Sequence, residues 1–67
     1  MKLLWEDAEE IAEKLMERFP GIDPLSIRFT DLHRWVCEIP EFGDDPNKVT
    51  EGKLEAIQMA WYGMQKE

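Results

Sequence analysis

The sequence predicts an all-α fold, a small three-helix bundle compatible with a helix-turn-helix arrangement. Two observations carry the prediction. Apolar residues recur at i, i+3, i+4 and i+7 in three separate stretches. Pro20, Pro24, Pro40 and Pro46 fall at the ends of these stretches or between them, where they interrupt no helix interior. With 67 residues the chain makes a single domain over 1–67 with a thin core, too small for a deep substrate cleft.

The first helix is WEDAEEIAEKLMERFPG. Asp7 is a good N-cap residue, and Glu10 stands three positions on, the spacing of a capping box. Ala8, Ile11, Ala12, Leu15, Met16 and Phe19 form the apolar stripe, and Pro20-Gly21 ends the helix. Opposite the stripe Glu6, Glu9, Glu10, Glu13 and Glu17 form an acidic ridge, flanked by Lys14 and Arg18. The helix dipole favours the acids of the first turn but not Glu17 near the far end.

GIDPLSIRF connects, with a turn or a short helical turn at Asp23-Pro24 and a short extended piece over Ile27 and Phe29. FTDLHRWVCEI is the second helix, with Thr30 as its N-cap and an end near Ile39 set by Pro40. PEFGDDPNKV is a loop. Thr50 caps the third helix, EGKLEAIQMAWYGMQKE, whose stripe is Leu54, Ile57, Trp61 and Met64, with Ala60 beside it.

Fifteen acids against eight bases leave a net charge of −7. Such a surface repels nucleic acid and anionic membranes, so neither is an expected partner, even for a helix-turn-helix fold. A basic protein patch or a cation fits instead, and the charge also serves plain solubility. Cys37 is the only cysteine, so no disulfide forms within the chain. With no signal-peptide pattern, a cytoplasmic location is expected. The longest apolar run falls far short of the roughly 20 residues of a membrane helix.

Residues 29–46, FTDLHRWVCEIPEFGDDP, concentrate the chemistry. Leu32, Trp35, Val36 and Ile39 face the core, and His33 and Cys37 share one flank at i, i+4. Asp31 and Glu38 lie on the other flank near Arg34. Two nitrogen or sulfur ligands do not make a zinc site, and no third group is evident to orient His33 as a base for Cys37. Cys37 reads as a small buried hydrophobe and no residue as catalytic. Glu41, Asp44 and Asp45, with Asp31 and the first-helix ridge, form one acidic face if those helices lie side by side. Exposed carboxylates take hard or borderline cations, weakly when no cage is preformed. The loop lacks the ligand spacing of an EF-hand.

LLWEDAEEIAE, DPLSIRFTDLHRWVCEI, EFGDDP and KLEAIQMAW, in that order, resemble the IscX family, small acidic proteins of bacterial iron–sulfur cluster assembly. The similarity runs from about Leu4 to Trp61, and FTDLHRWVC followed by an acidic loop ending in DDP is its most specific part. The resemblance implies a winged-helix-like three-helix domain and a monomeric, non-catalytic adaptor with no tightly bound cofactor. The implied partner is the cysteine desulfurase IscS, bound where the bacterial frataxin also binds, with weak ferrous iron on exposed carboxylates. Carried over by position, the partner surface comprises Asp7, Glu10, Asp31, His33, Glu38, Asp44 and Asp45. Asp31, Glu38, Asp44 and Asp45 are the candidate iron ligands. The alternative role is an iron carrier, donor or sensor for cluster assembly. The chain departs from the family pattern at Gly43, where another acid is expected, and this weakens the case for iron centred on the loop.

Overall fold

The structure, a computed structural model, describes residues 2–66. It is all-α, as the sequence predicts. Helix α1 spans Ala8–Arg18, α2 Phe29–Cys37 and α3 Glu51–Lys66. Single 3-10 turns at Pro24–Ser26 and Pro46–Lys48 precede α2 and α3. Among the described residues the only β-type pairing is an isolated parallel bridge between Leu3 and Phe42.

The core follows the predicted stripes. Helix α1 buries Ile11, Ala12 and Leu15, α2 buries Leu32 and Val36, and α3 buries Leu54, Ile57 and Trp61. Each of the Ile, Leu and Val side chains among them contributes about 1.5–3 kcal/mol when taken out of water. Helix α1 packs chiefly on α3, and α2 lies across both. Trp35 remains half-buried, stacked on Phe19 at 4.4 Å and meeting Trp61 edge-on at 6.5 Å. Leu3 and Trp5, from the segment before α1, also enter the core. The indole N–H of Trp61 is buried without a hydrogen-bond partner, a cost of about 1–3 kcal/mol that the packing around it must exceed.

Several local expectations are corrected. Asp7 precedes α1 but makes no side-chain cap to it. Its carboxylate turns back and accepts the N–H of Leu4 at 2.9 Å, so the capping box with Glu10 does not form. Arg28, not Thr30, is the N-cap position of α2, because Phe29 already has helical geometry. That also removes the extended piece expected through Phe29; only Ile27 and Arg28 are extended. Helix α2 stops at Cys37, two residues before Ile39, since the Glu38 and Ile39 N–H groups close tight turns onto Trp35 and Val36. Thr50 does cap α3, its hydroxyl accepting from the N–H of Lys53. Asp23 caps the first 3-10 turn through the N–H of Leu25, the turn chemistry expected of Asp-Pro.

Candidate functional site

The segment before α1 and the loop after α2 are tied into one clasp. The Leu3 N–H donates to the Glu41 carbonyl at 2.8 Å, and the Gly43 N–H donates to the Leu3 carbonyl at 2.9 Å. Trp5 donates twice to the loop, from its backbone N–H to Asp44 Oδ2 at 3.1 Å and from its indole Nε1 to the Asp45 carbonyl at 2.7 Å. Phe42 meets the Trp5 ring edge-on at 4.7 Å, and the His33 ring stacks on it at 5.5 Å. His33 Nε2 lies 2.6 Å from the Pro46 carbonyl. A carbonyl only accepts, so Nε2 carries the proton.

This clasp uses the two aspartates that the sequence offers for partner or iron binding. Asp44 accepts from Trp5 through Oδ2 and from the Asp45 N–H through Oδ1 at 2.7 Å. The Trp5 hydrogen bond, then that of Asp45, lowers the Asp44 carboxyl below its ordinary pKa, with Lys48 and Lys53 adding to the effect. Asp45 Oδ1 accepts from the Asn47 N–H at 2.9 Å and caps the Pro46–Lys48 turn. Both carboxylates build the loop first and present only their remaining lone pairs outward. His33 is likewise half-buried and held in the clasp.

The other candidates are freer. Glu10 is exposed on α1. Asp31 lies 3.6 Å from Arg34 on the surface of α2. The Glu38 side chain is exposed, while its carbonyl accepts from Arg18 at 3.2 Å and so joins the end of α2 to the end of α1.

The first-helix ridge and the loop do meet, at Glu41. Leu3, Glu10, Glu13, Lys14 and Glu41 line one open hollow of about 350 Å³. Lys14 Nζ reaches Glu41 Oε2 at 3.5 Å, so one cation sits among three acids. On the opposite side of the ridge, Glu9 and Glu13 border a second hollow, with Met16, Ala60 and Met64. Leu3 and the polar role of Trp5 escaped the sequence reading. Their signal is the clustering of apolar Leu3, Leu4 and Trp5 just before α1, which helical periodicity does not register.

No three of the described His, Cys, Asp and Glu residues stand close enough together to hold a metal ion. Asp31, Glu38, Asp44 and Asp45 therefore form no common cage. Cys37 is half-buried, and burial followed by the nearby Glu38 charge raises its thiol pKa, away from nucleophilic reactivity. No helix of the described residues is long and apolar enough to cross a membrane.

A family model described as iron-sulphur cluster assembly matches residues 3–66. An uncharacterized protein of Pseudomonas aeruginosa is 54% identical over 61 residues, which cover 91% of this chain and 92% of that protein.

Proposed function

The chain belongs to the iron–sulfur cluster assembly family that includes IscX, and on that premise we propose that it is a non-catalytic adaptor that docks on a cysteine desulfurase. The observation that carries the proposal is the joining of the α1 ridge to the loop through the hollow shared by Glu10, Glu13 and Glu41. It supports one acidic surface of a size suited to a basic patch. Such a surface steers a basic partner at long range and sets the register of the complex.

The proposed footprint is the sequence-derived set of Asp7, Glu10, Asp31, His33, Glu38, Asp44 and Asp45, extended by Glu13 and Glu41. Within it the freely exposed Glu10 and Glu38 carry direct ion pairs. Asp7, Asp44, Asp45 and His33 hold the backbone that displays them. Raised reactivity is absent at Cys37, in keeping with a role that involves no thiol chemistry. The competing reading as an iron carrier or sensor has less support, because no three of the described His, Cys, Asp and Glu residues stand close enough together to hold a metal ion. Ferrous iron on single exposed carboxylates remains part of the proposal only as weak binding.

The test is titration into purified cysteine desulfurase at low and high salt, by calorimetry or fluorescence anisotropy. Affinity falling steeply with salt, with Glu10→Lys weakening binding at unchanged melting temperature, is the expected result. Asp44→Lys should weaken binding and also lower the melting temperature. Salt-independent binding, or none at low salt, would overturn the adaptor reading.

A further inference from the structure

The hollow on the α3 side of the ridge differs in kind from the one at Glu41. Its floor is apolar, made by Met16 of α1 and by Ala60 and Met64 of α3, all half-buried. Its edge is acidic, made by the exposed Glu9 and Glu13. The volume is about 460 Å³, open to solvent. The sequence assigns Met64 to the core stripe of α3, yet Met64 is not buried with Leu54, Ile57 and Trp61. Instead it stands with Met16 at the mouth of the α1–α3 seam. Ala60 between them is small and leaves the seam as a depression.

The arrangement of the edge has a cost. Glu9 and Glu13 are i, i+4 neighbours, and Glu13 and Glu17 repeat the spacing, so each pair repels by a few tenths of a kcal/mol. No cation pairs with Glu9 or Glu13 within salt-bridge distance among the described residues. An apolar floor of flexible thioethers beside unpaired carboxylates matches a helix with apolar residues on one face and Lys or Arg beside them. Methionine adapts to such a face without a fixed shape. A second copy of this chain fits poorly, since its net charge of −7 places acids against acids.

The geometry points to the α1–α3 groove of Met16, Ala60 and Met64, edged by Glu9 and Glu13, as a docking site for a basic amphipathic helix of a partner protein. Glu9 to Met16 spans roughly 10 Å of helix at ~1.5 Å per residue, so the groove takes about two turns of such a helix. This surface lies outside the footprint proposed for the desulfurase, apart from the shared Glu13, and stands independently of that assignment.

The experiment is an NMR titration of the full chain, reading methionine methyl and backbone amide shifts. The probe is a synthetic Leu/Lys helix of about 15 residues, roughly 22 Å long. A control peptide has the same composition with its leucines scattered around the helix. The expected result is saturable shifts centred on Met16, Ala60, Met64, Glu9 and Glu13, with the scattered control at least about tenfold weaker, a difference of one decade in Kd. Met64→Gln and the double change Glu9→Gln/Glu13→Gln should each weaken the amphipathic probe severalfold while leaving the amide spectrum of the rest of the chain in place. Equal binding of both peptides, shifts centred on Leu3 and Glu41, or no shift at all would overturn the assignment. So would shifts of Met16 and Met64 that depend on protein concentration without peptide, which would assign the groove to a second copy.

Discussion

Trp5 and His33 stack with their ring centroids 5.5 Å apart and their planes 17° from parallel, one from the segment before α1 and the other from α2. Each then bonds the same stretch of loop, Trp5 at Asp44 and Asp45 and His33 at Pro46. The acidic loop thus owes its position to two aromatic rings as well as to its own carboxylates, which accept the Trp5 and Asn47 N–H groups.

Removing one ring tests this. His33→Ala loses the stack, worth about 0.5–1.5 kcal/mol, and a hydrogen bond of similar size. Because His33 is half exposed, the expected loss is near the lower end, about 1 kcal/mol in urea unfolding. His33→Phe keeps the stack without the bond to Pro46 and should lose about half as much. Equal losses for both variants would show that the ring contributes nothing through stacking.

Asp44 should make stability depend on pH in a defined sense. Its carboxyl pKa is lower folded than unfolded, chiefly through the Trp5 hydrogen bond. The stabilisation is then fully present above the unfolded value, about 3.9, and disappears as pH falls through the lower folded value. Asp44→Asn should melt below the parent chain near neutral pH, and the gap should close on acidification below about pH 4. A gap constant across that range would assign the effect to packing.

Gly43 faces a crowded neighbour. A Cβ there would fall 2.6–2.8 Å from Cβ, Cγ and Cδ of Lys2. Gly43→Ala should displace the segment before α1 and cost about 1 kcal/mol, at the low end for overpacking because Lys2 is at the surface. Lys2→Gly in the same chain should recover most of that loss, as a double-mutant cycle of melting temperatures would show. The same contact gives a physical reason for glycine at a position where the family pattern leads one to expect an acid.

Cys37 should behave as packing material. With its thiol pKa raised by burial and by Glu38, alkylation by iodoacetamide at mildly alkaline pH should run slower than for a small free thiol. Cys37→Ser should leave desulfurase binding unchanged. Loss of binding in that variant with the fold intact would reopen a thiol role.

The three helices and most of their buried faces were legible because a 3.6-residue period leaves its mark in any stretch of a dozen residues. Their ends were less so. Thr30 has the chemistry of a cap, but the chain enters the helix one residue earlier, and Asp7 spends its carboxylate on Leu4. The Asp23-Pro24 pair was a better guide, since Asp23 caps the turn it introduces, as Asp45 also does ahead of Pro46. The clasp was not legible at all, because its partners lie far apart in sequence and Leu3 and Trp5 belong to no periodic pattern. Charge and the family resemblance together made Asp44 and Asp45 look like free ligands. Only the positions of the Trp5 and Asn47 N–H groups reveal that these carboxylates are already occupied.

The Trp5 bonds to the loop join residues 39 and 40 apart and so close α1 and α2 into a non-covalent ring, with α3 outside it. Closing a flexible ring of that length costs about 3 kcal/mol of chain entropy from its length-dependent part. Burying the Trp5 indole, at roughly 150–250 Å² and about 25 cal/mol/Å², contributes about 4–6 kcal/mol, enough to keep the ring shut by a narrow margin. The few residues ahead of α1 therefore act as a latch on the topology of the molecule. A fusion or truncation that disturbs them would free the loop while α1 and α3 stayed packed, so a tag for binding studies belongs at the other end of the chain.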